Sequence, residues 1–323
     1  MKNNIFEYQM ITDKVIFADG LTRSGKALLS NILLGFENVS SIQVLDILEQ
    51  ILPMFSNNKI SKNATSSILR LYLNQNFYHY KLSRNLNFRY DDLTGIHNTS
   101  NPKQFYKNLN KKDDDDVIDE LFKKDIYFQF QTHEILAQYS SFLELNIEAI
   151  IIEIFRHPID TAHSWYKRGW GTRYDKADPR SFTTLFNYGG NIIPFYVIGH
   201  EEEYIKLNEM EKCIFMHNIL VKASIEQYKK LNLKLRKKIH ILKYEDLLSN
   251  TNNEVDKISQ FLNLKKNSYM NEIIDNKIII QSKKVPTRVE KLDEIKKNTD
   301  IKFYNDLVSL SEYYDDNFYD LEN

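Results

Sequence analysis

The feature that most constrains the fold is a repeated alternation of short apolar segments with helical patterns. The apolar segments have the length and β-branched content of buried strands, and a stretch with helical spacing follows each one. This alternation indicates a parallel sheet with helices on both faces. We therefore predict a three-layer α/β/α fold with core strands KVIFAD (14–19), DIYFQFQT (125–132), AIIIEIFR (149–156) and HILKYED (240–246).

The segments between these strands predict one domain with insertions. A chain of 323 residues is long enough for one large α/β domain, and no Pro- or Ser-rich linker divides it. We predict a single domain over 1–323, with a helical insertion at about 40–110 and an aromatic lid on the substrate side at about 165–210. The acidic run at 110–119 is interpreted as a solvated loop.

Composition restricts the partners and the compartment. The net charge is −1, so no overall field attracts the chain to nucleic acid or to an anionic membrane. A single cysteine, Cys213, excludes an internal disulfide and a multi-cysteine zinc site, and fits a reducing compartment. The first residues lack the apolar run of a signal peptide or anchor. We expect a cytoplasmic protein without stable membrane insertion, and a homodimer stays open.

The segment after the first predicted strand, GLTRSGKALL, has the composition of a phosphate-binding loop. In an open parallel sheet, ligands bind beyond the carboxyl ends of the strands. A glycine-containing turn between strand and helix presents backbone N–H groups to a phosphate, and Arg23 and Lys26 add positive charge. An ATP loop wants Ser or Thr after the lysine to bind magnesium, but Ala27 stands there. This substitution weakens the interpretation as an ATP-dependent kinase.

Two further strand ends carry reactive or cationic side chains. His133 follows the second predicted strand as a candidate general base, with Glu134 as the alternative. Arg156 ends the third strand, and Ser164 lies eight residues beyond it, near enough for both to bind one phosphate. Structural roles for these side chains stay open at this stage. Together with the loop, they suit a polyanionic ligand beside a base.

The motifs together resemble those of the sulfotransferases that use 3′-phosphoadenosine 5′-phosphosulfate (PAPS). The loop signature of that family reads RSGKALL here, and its second signature reads RHPIDTAHS (156–164). A Thr-His pair lies 23 residues before Arg156, and a Y-E-D-L element stands at 244–247. Four elements in the right order are more specific than any one of them.

The resemblance implies a P-loop-like fold, roles for individual residues, and transfer without a metal. The loop residues would cradle the 5′-phosphosulfate, His133 would accept the acceptor's proton, and Arg156 with Ser164 would bind the 3′-phosphate. Arg288, within KKVPTRVEK (283–291), is the candidate for a basic element that closes over the nucleotide. The product would be 3′,5′-ADP (PAP), and the donor loop would comprise Arg23, Ser24, Gly25, Lys26, Ala27 and Leu28, of which Arg23 and Lys26 would also act in catalysis.

The loop also departs from the family pattern. Arg23 replaces a catalytic lysine, Lys26 and Ala27 replace two hydroxyl residues, and Gln131 stands where many cytosolic members carry a second lysine. A kinase and a non-catalytic nucleotide-binding protein therefore stay as alternatives. The acceptor is open among small molecules, glycans and lipid-linked sugars. The aromatic residues of the predicted lid suit either stacking on an acceptor or a hydrophobic core.

Overall fold

A computed structural model describes residues 5–99, 101–112, 115–123, 126–281 and 286–318. Its centre is a parallel sheet of five strands in the order β2-β3-β1-β4-β7, and a separate antiparallel hairpin joins β5 to β6. The strands are β1 (Val15–Asp19), β2 (Gln43–Val44), β3 (Phe128–Gln131), β4 (Ile150–Phe155), β5 (Leu185–Tyr188), β6 (Asn191–Pro194) and β7 (Ile239–Lys243).

Sixteen α-helices lie in the described residues, and four 3-10 turns occur at 96–98, 136–138, 179–181 and 195–197. The helices are α1 (Lys26–Leu33), α2 (Asp46–Ser56), α3 (Lys62–Leu82), α4 (Pro102–Asn108), α5 (Asp115–Lys123), α6 (Tyr139–Glu144), α7 (Pro158–Tyr166), α8 (Trp170–Arg173), α9 (Glu201–Tyr204), α10 (Glu209–Lys229), α11 (Leu233–Arg236), α12 (Tyr244–Ser249), α13 (Thr251–Leu262), α14 (Met270–Gln281), α15 (Arg288–Asn298) and α16 (Ile301–Asn317).

The core has one half on each face of the sheet, because successive side chains of a strand point to opposite faces. Val15 and Phe17 of β1 pack in a cluster with α3, α6 and α10. Ile16 and Ala18 pack in the other cluster, with α1 and α13. This arrangement confirms the predicted three-layer α/β/α fold with a parallel sheet. The single domain over 1–323 stays a prediction.

The sheet order fixes where a ligand site can form. β1 and β4 are neighbours in the sheet. After β1 the chain continues to β2 at one edge of the sheet, and the next strand of this sheet after β4 is β7 at the opposite edge. Loops that diverge from adjacent strands leave a crevice at the carboxyl ends of those strands. The two predicted signature motifs follow β1 and β4, so both border this crevice.

The structure corrects two sequence-based predictions and adds one strand. The predicted strand at 240–246 ends at Lys243, and α12 begins at Tyr244, since two carboxylates in its first turn favour a helix N-terminus. The prediction of a solvated loop at 110–119 was wrong for residues 115–119, which begin α5. Residues 113 and 114 of this run lie outside the described residues. Helix α5 buries Val117 and Leu121 one turn apart. The short edge strand β2 was not predicted.

The C-terminal helices complete one side of the crevice. α15 and α16 pack on α7, and Ile295 and Leu307 are fully buried in the cluster that joins them. A capping box between Thr287 and Glu290 starts α15, so Arg288 occupies its first position. None of the helices in the described part of the chain is long and apolar enough to cross a bilayer.

Candidate active site

The loop between β1 and α1 is tightly packed at both of its glycines. A Cβ atom on Gly20 would lie 2.4 Å from the carbonyl oxygen of Ile154, and one on Gly25 would lie 2.2 Å from the ring of Tyr244. Gly25 also has a φ of 114°, which disfavours any residue with a side chain. The loop therefore requires glycine for close approach and for its left-handed backbone. Arg23 adopts a positive φ of 73°.

The side chain of Lys26 lies beneath the loop. It is 4% exposed, and its ammonium donates hydrogen bonds to the carbonyl oxygens of Gly20 (2.9 Å) and Leu21 (2.7 Å). Burial lowers the pKa of Lys26 to about 8, although nearby carboxylates favour the charged form. Lys26 thus holds the loop in shape through these two carbonyl contacts.

Arg156 joins the second motif to the loop. Its guanidinium donates to the carbonyl oxygen of Arg23 (3.1 Å) and lies 4.8 Å from the ring centre of Tyr244. Partial desolvation, followed by the nearby charges of Arg168 and Arg156, lowers the pKa of Arg23, although its side chain is exposed. Three guanidinium groups therefore gather at the loop, an arrangement that suits a multiply charged anion.

The remaining predicted donor residues lie around these arginines. The Ser24 hydroxyl is buried and, within the described residues, has no hydrogen-bond partner. Lys26 and Ala27 open α1, where backbone N–H groups lack intrahelical acceptors. The Leu28 side chain is buried, and its N–H donates to the carbonyl oxygen of Gly25 (2.9 Å), so Leu28 supports the loop from within. Ser164 is partly exposed in α7.

Arg288 is held beside the second motif by acidic side chains. Its guanidinium bonds to Asp160 (3.1 Å) and Glu245 (3.5 Å), and Lys291 bonds to the other oxygen of Asp160 (2.5 Å). Glu245 also accepts a hydrogen bond from the backbone N–H of His157 (3.1 Å). The structure therefore brings Arg288 to the motif of Arg156. Residues 283–285 of the predicted basic element lie outside the described residues.

His133 lines a cavity of about 220 Å³ next to the loop. Its Nδ1 makes a very short contact with the carboxyl group of Glu49, which comes from α2. Burial and the nearby Lys26 charge lower the pKa of His133 to about 3, so the imidazole is neutral at neutral pH. The other walls of the cavity include Glu134, with a left-handed φ of 65°, and Trp165 and Trp170.

Acidic groups surround Lys26 beneath the cavity. The Asp19 carboxylate accepts hydrogen bonds from the Thr132 hydroxyl (3.0 Å) and from two backbone N–H groups. Burial raises the pKa of Glu134 to about 8, with Glu49 adding to the shift, and raises the pKa of Glu49 and Glu153. We call this set of buried and half-buried groups the buried floor; it comprises Asp19, Lys26, Glu49, His133, Glu134 and Glu153.

The sequence interpretation gave no role in the site to three residues that the structure places there. Glu49 was unremarkable within the predicted insertion, since its contact with His133 joins residues far apart in the chain. Arg168 follows α7 by two residues and had no motif to mark it. Tyr244 was noted only as part of a motif, yet its ring packs against Gly25 and lies under Arg156. Only Tyr244 had a signal in the sequence, which was its place in the Y-E-D-L element.

The predicted lid contains both core and surface aromatics. Trp165 and Tyr174 are buried, and the Trp165 indole N–H donates to the carbonyl oxygen of Thr22 (2.8 Å) in the loop. Phe182 is 67% exposed, although it also lines the cavity. In the described residues, no cluster of three or more His, Cys, Asp or Glu side chains could hold a metal ion.

The fold and site define the class: an α/β protein with a glycine-containing loop between β1 and α1, an arginine motif after β4 and a cavity lined in part by His133. Comparison with protein families gives the narrower assignment. A model described as the sulfotransferase domain matches residues 20–307, and the chain belongs to this family, whose reaction is sulfuryl transfer. No curated protein matches the chain closely enough to count as a relative.

Several solved structures show distant similarity. The sulfotransferase domain of the Synechococcus PCC 7002 olefin synthase is 12% identical, with a TM-score of 0.48, and 97% of this chain and 98% of that chain are covered. A sulfotransferase from Mycobacterium avium is 10% identical (TM-score 0.47; 95% and 77% covered). A mouse sulfotransferase complexed with PAP is 13% identical (TM-score 0.38; 86% and 69% covered).

Proposed function

We propose that this protein transfers a sulfuryl group from PAPS to a hydroxyl or amine of an acceptor, with PAP as the product and no metal required. The main support for this proposal is the contact between the two motifs. The guanidinium of Arg156 donates to the carbonyl oxygen of Arg23 in the loop, beside the cavity lined by His133. A kinase would need a magnesium ligand at the position of Ala27. Family membership favours sulfuryl transfer over that alternative.

The residues present fit a phosphosulfate donor. The unpartnered Ser24 hydroxyl, the first N–H groups of α1 and the side chain of Arg23 offer donors to one phosphate. The Nε of Arg156 is buried and has no hydrogen-bond partner within the described residues, so it has donor capacity for a second phosphate. We assign that 3′-phosphate to Arg156 and Ser164, with Arg288 at its edge.

The bound donor supplies an activated sulfuryl group on a phosphate leaving group. Arg23 would stabilise the negative charge that develops on this phosphate. Because Arg156 donates to the carbonyl oxygen of Arg23, the loop is already held in place and little reorganisation is needed. Lys26 keeps the loop rigid through its two carbonyl contacts. Buried positive charge below the loop adds to the same field.

His133 is the proposed base. Above the raised pKa of Glu49, its carboxylate accepts a hydrogen bond from the Nδ1–H of His133. Nε2 then has a lone pair and can take the acceptor's proton. Glu134 is less suited to this role, because its pKa of about 8 keeps it protonated at neutral pH. Glu49 is a positioning residue, since it acts through the imidazole.

Thermal denaturation with two nucleotides tests the donor assignment. PAP should raise the melting temperature, because a ligand that binds only the native state stabilises it, and ADP with magnesium should have little effect. Arg156→Gln should remove most of the PAP effect, whereas Arg89→Gln, at an exposed arginine of another loop, should retain it. Stabilisation by ADP and magnesium alone would contradict the proposal and restore the kinase alternative.

A further inference from the structure

A basic groove adjoins the cavity of His133 on the side of the predicted lid. It has a volume of about 540 Å³ and begins where α7 ends. Trp170, Arg173 and Arg180 line both the groove and the cavity, so the two spaces are adjacent. The groove is lined by Arg168, Gly169, Trp170, Thr172, Arg173, Lys176, Asp178 and Arg180.

Positive charge is in excess in this groove. Four of its side chains are cationic, and the single carboxylate is Asp178. Asp178 is committed to the guanidinium of Arg180 (2.7 and 2.9 Å). Lys176 and Arg168 are exposed and form no ion pair with another described residue. The groove therefore offers two cations, Arg168 and Lys176, that no other described residue neutralises.

Arg173 connects the groove to the cavity. Its guanidinium lies 5.7 Å from the ring centre of Trp170 and contacts the carbonyl oxygen of Arg180. The Nε atom of Arg173 is buried and has no hydrogen-bond partner within the described residues, and it lies 4.0 Å from Asp178. A buried donor without an acceptor lowers stability, unless a ligand supplies the missing acceptor.

The cavity alone is small for an acceptor. Its volume of about 220 Å³ is below the roughly 300–1,000 Å³ of typical ligand pockets. A molecule whose nucleophile reaches His133 must therefore extend outward, and the groove is the space that adjoins the cavity. We propose that the acceptor carries a phosphate, sulfate or carboxylate group, which binds in the groove to Lys176 and to the unpartnered Nε of Arg173. This inference rests on the proposed function for the position of the nucleophile.

The test is calorimetric binding of phenyl phosphate and of phenol to the protein saturated with PAP. PAP occupies the arginines of the donor loop, so any remaining phosphate binding reports a separate site. Phenyl phosphate should bind more tightly than phenol, and its affinity should fall as salt is added. Lys176→Glu should weaken phenyl phosphate binding by roughly five- to tenfold, since it reverses an exposed charge. Lys103→Glu, on the exposed face of α4, is the matched control.

Each result decides the inference. Loss of phenyl phosphate binding when PAP is present would indicate that the anion binds the donor loop, and it would overturn the proposal of an anion site in the groove. Equal affinity of the parent and Lys176→Glu would overturn it as well. If PAP fails to raise the melting temperature, the proposed function fails, and phenyl phosphate binding to the PAP-free protein still tests the groove through the same pair of variants.

Discussion

The buried floor and the basic groove border the same cavity, yet their charges are arranged in opposite ways. In the floor, Lys26 is buried among carboxyl groups, and its ammonium is bonded to two loop carbonyls. In the groove, Lys176 and Arg168 are exposed and form no ion pair within the described chain. Both regions carry cations, but only those of the groove are accessible to a ligand.

This difference follows from solvation. A buried charge needs partners that the fold supplies, so its position is fixed before any ligand arrives. An exposed charge is solvated, and a ligand can displace that water. We infer that the floor sets geometry and proton positions, whereas the groove and the donor loop provide binding. Arg23 and Lys26 show the same contrast within one loop, three residues apart.

The largest effect on the transfer rate should come from His133, the proposed base. His133→Ala should lower the transfer rate by about 10²- to 10⁴-fold, because the acceptor's proton loses its base. The PAP-induced rise in melting temperature should remain, since the donor contacts are elsewhere. Transfer of labelled sulfate from PAPS is the measurement.

His200→Ala is the matched control, because His200 is exposed at the start of α9 and lines neither the cavity nor the groove. Turnover at the parent rate in His133→Ala would refute the base assignment. Glu134→Gln would then be the next variant to measure.

The second effect separates the two cations of the loop. Lys26→Met should lower the free energy of unfolding by about 3 kcal/mol, since buried carboxyl groups lose their compensating charge. Arg23→Met should change it by less than about 0.5 kcal/mol, because Arg23 is exposed, but should weaken PAP binding. Urea denaturation with and without PAP measures both quantities.

Equal stability of the two variants would show that Lys26 is not the support of the loop. Loss of PAP affinity in Lys26→Met with full stability would instead give Lys26 a direct contact with the donor.

The fold was predictable because its signals are local. Period and composition identified β1 and β4, and the placement of motifs at strand ends followed from the rule for parallel sheets. The two motifs lie at adjacent strands, and the structure joins them through Arg156 and the loop carbonyl of Arg23. The predicted helical insertion at about 40–110 contains the 21-residue helix α3.

The parts that were not predictable depend on contacts between distant residues. The sequence suggested that Lys26 faces the donor, but whether an ammonium turns inward depends on carboxyl groups from β4 and α2. Glu49 and His133 meet across 84 residues. The two-residue strand β2 has too few residues to show a period, and its pairing with β3 defines it. Such features follow from packing rather than from local pattern.

The smallest effect concerns the pH dependence of transfer and tests the coupling within the floor. Below the raised pKa of Glu49, its carboxyl and the imidazole hold two protons, so Nε2 of His133 is protonated and cannot act as a base. Above that pKa, Nδ1 alone holds the proton, and the rate should rise with pH.

Glu49→Gln keeps an acceptor for Nδ1 but removes this titration, and it also lowers the pKa of Glu134. The acidic limb of the rate profile should therefore move to lower pH, while Glu144→Gln, at an exposed position of α6, leaves it in place. An unmoved limb in Glu49→Gln would mean that Glu49 does not set the proton position on His133.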